Sequence, residues 1–123
     1  MNPYNRAEII DINFSQKLKN GSLPNDITRH SISDLDLKAS DIISIFESQV
    51  FSRHMDIKAR ELKEKGECFY TIGSSGHESN AVFGHIFPYT DIAFLHYRSG
   101  PFFIERSKQI PGSSPLYDMA LSF

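Results

Sequence analysis

No stretch of this 123-residue chain approaches the roughly 20 consecutive apolar residues that a membrane span requires. The polar start at Asn2, Tyr4, Asn5 and Arg6 lacks the apolar run of a secretory signal. Both absences point to a soluble chain without a membrane partner, with the cytoplasm as the expected location. Charge of one sign is also missing. The 13 basic and 15 acidic residues are interspersed and sum to -2, which leaves no footprint for nucleic acid. Cysteine is nearly absent. The single Cys68 cannot close an internal disulfide, and its apolar setting beside Phe69 and Tyr70 reads as a buried thiol. Histidines are present, but no two stand three or four residues apart as a helical zinc pair would.

What is present is an ordinary globular composition, 40% hydrophobic and 23% charged, in a length suited to one small domain. Residues 1–38 carry turn formers at Asn20, Gly21, Pro24 and Asn25 and no sustained apolar period, so they read as an N-terminal arm. A long helix is expected over about 40 to 65. Ser40 is its candidate N-cap, and Ile42, Ile43, Phe46, Val50, Phe51, Met55, Ala59 and Leu62 run along it at helical spacing. Gly66 closes it in a left-handed conformation. Lys58, Arg60, Glu61, Lys63, Glu64 and Lys65 read as its solvated face.

Residues 68–72 and 91–95 are the two strand candidates. Between them Ser75 and Glu78 have the spacing of a capping box that opens a second helix ending at Pro88. A third helix is expected from about Gly100 to Lys108 with Pro101 in its first turn, then a loop around Pro111 and Gly112. Helices alternating with short strands predict an α/β fold, helix-rich with few short strands, whose two strands need further partners.

The most informative cluster is Tyr97, Arg98, Ser99, Gly100 and Pro101, which sets an arginine at the junction of a strand and a helix N-terminus. Free backbone N–H groups, the positive end of the helix dipole and a guanidinium together favour a phosphate. A surface arginine or a structural ion pair is the competing reading. Gly73, Ser74, Ser75, Gly76, His77 and Glu78 form the other cluster, with glycines that permit close approach and a histidine that can titrate, although capping alone also accounts for it.

Taken in order, Arg53-His54-Met55-Asp56, Gly66, Phe69-Tyr70, Gly76-His77-Glu78, Asp91 and Tyr97-Arg98 resemble the alpha subunit of the thiamine-diphosphate-dependent pyruvate and branched-chain 2-oxo acid dehydrogenases, over residues 40 to 123. The resemblance implies the N-terminal part of a thiamine-diphosphate-binding fold, an incomplete portion of the dehydrogenase domain in 39–123, with more protein expected to follow. It implies oxidative decarboxylation of a 2-oxo acid and acyl transfer to a lipoyl partner. The cofactor implied is thiamine diphosphate with Mg²⁺, and the partners are the beta subunit or domain and a lipoyl-bearing acyltransferase. By the same resemblance Tyr97 and Arg98 are cofactor-binding, with His96 and His77 second, both standing where the family often has glutamine. Ile72 stands where pyruvate-type members carry an active-site histidine, which favours a branched-chain or other apolar 2-oxo acid. The metal-binding Gly-Asp-Gly of the family is absent from this sequence, so the chain is expected to be inactive by itself. The alternative is a shortened, non-catalytic paralogue acting as an interaction module.

Overall fold

The computed structural model describes residues 6–22, 31–69 and 72–121. The chain divides into two units, Met1–Leu35 and Asp36–Phe123. The first holds a helix that the sequence reading did not anticipate, α1 (Arg6–Lys19). Lys17 and Lys19 lie at its negative end. Gly21, at φ 60°, lets the chain turn so that the Ser22 N–H reaches the Lys17 carbonyl. Ile10, Ile12, Phe14 and Leu18 of α1 are exposed.

The second unit is built on α2 (Ala39–Glu64), which matches the long helix expected. Its N-cap is Lys38 rather than Ser40, and the Asp41 carboxylate accepts the Lys38 N–H at 2.9 Å. Gly66 takes φ 74° and closes the C-terminus, with the Glu67 N–H bonded to the Leu62 carbonyl. Three short helices follow: α3 (Asn80–Ile86), α4 (Gly100–Ser107) and α5 (Pro115–Ala120). Helices α3 and α4 pack on each other and both pack on α2. The core holds Ile45, Met55, Ala59, Cys68, Ala81 and Ile104. Cys68 is buried, its thiol bonded to the Ala59 carbonyl. Gly84 brings α3 against α4 so closely that a Cβ there would stand 2.5 Å from the Phe102 carbonyl oxygen.

Two expectations need correction. The helix expected from Ser75 begins instead at Asn80, after N-cap Ser79. Gly76 has φ 86°, outside helical space, and Glu78 accepts the Gly76 N–H instead of completing a capping box with Ser75. The expected strands are also missing: no strand occurs among the described residues, and part of 68–72 lies outside them. In 91–95 the chain is strand-like in one respect. Tyr89, Asp91, Ala93 and Leu95 share a cleft with Phe102, Phe103 and Arg106 of α4, whereas Ile92 and Phe94 are 89% and 98% exposed. That two-residue alternation is the strand period, but a strand also needs a neighbour to complete its ladder. The structure therefore shows a helix-rich chain; the α/β character is not seen among the described residues.

Candidate functional site

The site is built along one face of α2. Ser44, Ser48, Ser52 and Asp56 recur at four-residue intervals, so they stack along a single ridge. The ridge runs under α4, and its two ends differ.

At the first end lies Glu105 of α4, 3% exposed. Its carboxylate accepts from the Ser48 hydroxyl at 2.5 Å and from the Ser44 hydroxyl at 3.0 Å. Lys108 Nζ stands 2.9 Å from the same carboxylate and also donates to the Ser44 carbonyl at 2.7 Å. His85 Nδ1 of α3 completes the set at 2.9 Å. Burial alone pushes the Glu105 carboxyl up. The Ser48 hydroxyl, Lys108, His85 and the Ser44 hydroxyl together outweigh that effect and hold it below its ordinary value. These groups border an open cleft of about 400 Å³ with Ile86, Pro88 and Gln109. A larger cleft of about 560 Å³, lined by Phe46, Val50, Phe51, His54, Ile104 and Pro115 among others, is almost wholly apolar.

At the second end the loop after α2 meets the N-terminus of α4. The Asp56 carboxylate accepts the Ser74 N–H at 2.7 Å, and a Cβ on Gly73 would meet that carboxylate at 2.8 Å and Arg60 Nη2 at 3.2 Å. Burial pushes the Asp56 carboxyl up, against the opposing pull of the Ser74 N–H, Arg53 and Arg60. Arg60, expected on a solvated face, is half-buried here. Arg98 is half-buried too. Its Nη1 donates to the Gly73 carbonyl at 3.3 Å, and its guanidinium lies 5.3 Å from the Tyr97 ring centroid. The two clusters named from the sequence, 73–78 and 97–101, thus meet through one side chain.

The turn holding these residues is short. The Ser99 N–H bonds the His96 carbonyl at 2.8 Å while the His96 N–H bonds the Ser99 hydroxyl at 3.0 Å. His96 stacks at a tilt on Tyr97, ring centroids 3.7 Å apart, and both residues are exposed. His77 sits on the 73–78 loop with its N–H on the Ser74 carbonyl, and its exposed imidazole makes no hydrogen bond among the described residues. Tyr97, Arg98 and His96 are therefore brought together, while His77 joins them only through the loop that Arg98 holds.

Sequence reasoning missed Ser52, and it named Ser74 only as a member of the 73–78 cluster. A Cβ on Gly100 would stand 2.9 Å from the Ser52 hydroxyl and 2.8 Å from that of Ser74, so glycine lets the start of α4 rest on two hydroxyls. Ser52 is 1% exposed, and its oxygen has no hydrogen-bond partner among the described residues. The four-residue serine spacing was the available signal.

This end brings together Arg98 on the Gly73 carbonyl, the Asp56 carboxylate on the Ser74 N–H, and the first residue of α4 against the Ser52 and Ser74 hydroxyls. No group of three or more His, Cys, Asp or Glu that could hold a metal ion occurs among the described residues. No helix among them is long and apolar enough to cross a membrane. The chain matches no family model, no curated protein and no solved structure at significant similarity.

Proposed function

We propose that the junction of Tyr97, Arg98 and the N-terminus of α4 binds the diphosphate of thiamine diphosphate, and that the chain is part of a 2-oxo acid dehydrogenase alpha subunit. The observation that carries the reading is the convergence of Arg98 with the Gly73 loop at the start of α4, across 25 residues of sequence. Arg98 supplies the permanent positive charge, Tyr97 orients it through its ring face, and the first-turn amides of α4 supply neutral donors. His96 lies against Tyr97 and His77 on the adjoining loop, each able to add a donor to a phosphoryl oxygen.

Thiamine diphosphate, when bound, supplies the electron sink for decarboxylating a 2-oxo acid. By the resemblance, Ile72 in place of the histidine of pyruvate-type members favours an apolar acyl group. The Mg²⁺ that accompanies the cofactor finds no ligand set among the described residues, so metal ligation falls to another part of the assembly. The beta subunit or domain and a lipoyl-bearing acyltransferase are the partners this reading implies, in an α/β thiamine-diphosphate-binding fold and a cytoplasmic setting.

A second reading, a non-catalytic interaction module, is favoured by one specific observation. Phe69, Ile92 and Phe94 are 95%, 89% and 98% exposed, apolar surface of the kind that partners cover.

Calorimetric titration with thiamine diphosphate tests the first reading. Arg98→Ala is expected to weaken binding by about 1.5 to 3 kcal/mol, the scale of one charge-assisted hydrogen bond. Equal affinity in the variant sinks the proposal, and thiamine diphosphate binding that is absent in both favours the interaction module.

A further inference from the structure

Of the four polar residues on the α2 ridge, three have partners. Ser44 and Ser48 donate to Glu105, and Asp56 accepts the Ser74 N–H. Ser52, in the middle of the same ridge and 1% exposed, has no hydrogen-bond partner among the described residues. An unmade hydrogen bond on a buried hydroxyl is costly, so such a group calls for an explanation. A fold that has saturated the neighbouring serines one turn before has the means to saturate this one.

We infer that the Ser52 hydroxyl is a further binding residue of the anion site, donating a hydrogen bond to a phosphoryl oxygen seated at the N-terminus of α4. The inference rests on the reading of the Tyr97–Arg98 junction as a diphosphate site and adds to it a residue from α2. Three observations converge on it. The hydroxyl lies where a Gly100 Cβ would come within 2.9 Å, so it adjoins the first residue of the helix. Pro101 in the first turn has no N–H to offer. Pro101 thus takes one donor from the first turn, and a hydroxyl beside Gly100 adds one. Arg98, from the adjoining turn, brings the charge that draws the anion in.

The chemistry of the unmet group agrees with that ligand. A serine hydroxyl without a partner has one donor hydrogen to place, and an anionic oxygen is its strongest acceptor. Alanine at Gly100 would push its methyl onto both hydroxyls, so glycine there keeps the hydroxyl and the helix start in register.

The test compares the chain with its Ser52→Ala variant, titrating inorganic pyrophosphate by calorimetry and following thermal unfolding of both. The expected result has two signs: pyrophosphate affinity falls about tenfold, and the melting temperature rises because an unpaired buried hydroxyl has been removed. Unchanged pyrophosphate affinity in Ser52→Ala overturns the inference and leaves the Arg98 junction standing. A variant that loses affinity and melting temperature together also overturns it, since the hydroxyl is then a structural group. Thiamine, which has no phosphoryl group, is the control, and a Ser52-dependent loss for thiamine overturns the phosphoryl assignment. If the unaltered chain does not bind pyrophosphate, the junction reading falls and the inference with it.

Discussion

The two ends of the α2–α4 seam use the same residue type to opposite effect. At the Glu105 end, Ser44 and Ser48 are consumed in a closed set of bonds with a carboxylate, an ammonium and an imidazole. At the Gly100 end, Ser52 is equally buried and unpaired, and glycines at 73 and 100 hold the backbone hard against polar side chains. A saturated polar cluster fixes one helix on another, whereas an unsaturated one costs stability unless a ligand completes it. The difference separates a fastening from a candidate binding site within a single interface.

The largest effect expected in testing this contrast comes from removing the fastening. Glu105→Ala strands Ser48 and deprives Lys108 and His85 of their shared anion, and should cost about 3 to 5 kcal/mol in urea unfolding. A loss under about 1 kcal/mol would mean that the cluster is no fastening. Gly84→Ala tests the other contact that locates α4. Its methyl would meet the Phe102 carbonyl at 2.5 Å, and overpacking of about 1 to 3 kcal/mol is expected from the same measurement. If Gly84→Ala is instead stabilising, α3 has room to withdraw and does not set the position of α4.

The smallest effect is the dependence on pH, which has opposite signs at the two ends. The folded-state Glu105 carboxyl lies below its ordinary 4.5, so its contribution is present above that value and is lost as pH falls through the lower folded value. The Asp56 carboxyl lies above its ordinary 3.8, so it favours the fold when protonated, and that contribution is lost as pH rises through the raised folded value. Acid titration of unfolding free energy should therefore show a shallower decline below pH 4.5 in Glu105→Gln and a steeper one in Asp56→Asn than in the unaltered chain. Parallel curves would erase the contrast.

Much of the scaffold was legible. The α2 stripe and its closing Gly66 could be read because both depend on local rules, apolar spacing and one left-handed glycine. Pro101 located α4 for the same reason. Ser75 and Glu78 misled because capping-box spacing says nothing about the φ of the intervening residue, and Gly76 takes a positive one. Helix α1 escaped notice although Ile10, Phe14 and Leu18 stand at four-residue steps along it, and the segment at 91–95 has the alternation of a strand without a neighbour among the described residues to pair with. In the candidate site, Arg98 and Tyr97 were visible as a charge beside a helix start. Asp56 was visible only within the Arg53-His54-Met55-Asp56 stretch of the resemblance, and Ser52 and Glu105 were not, since the residues they meet lie on other elements.

The sequence by itself determined the long helix α2, the helix that opens at Pro101 and which arginine precedes it, because these follow from interactions within a few residues. Only the tertiary structure decided that residues 52, 74 and 100 meet, that Glu105 is closed off by three partners from α2 and α3 and by Lys108 from beside it, and that one serine remains open. Those outcomes depend on the register of α4 against α2. Register is set by close approach at Gly84 and Gly100 and by buried bonds across 57 to 61 residues of chain, distances over which local propensity carries no information.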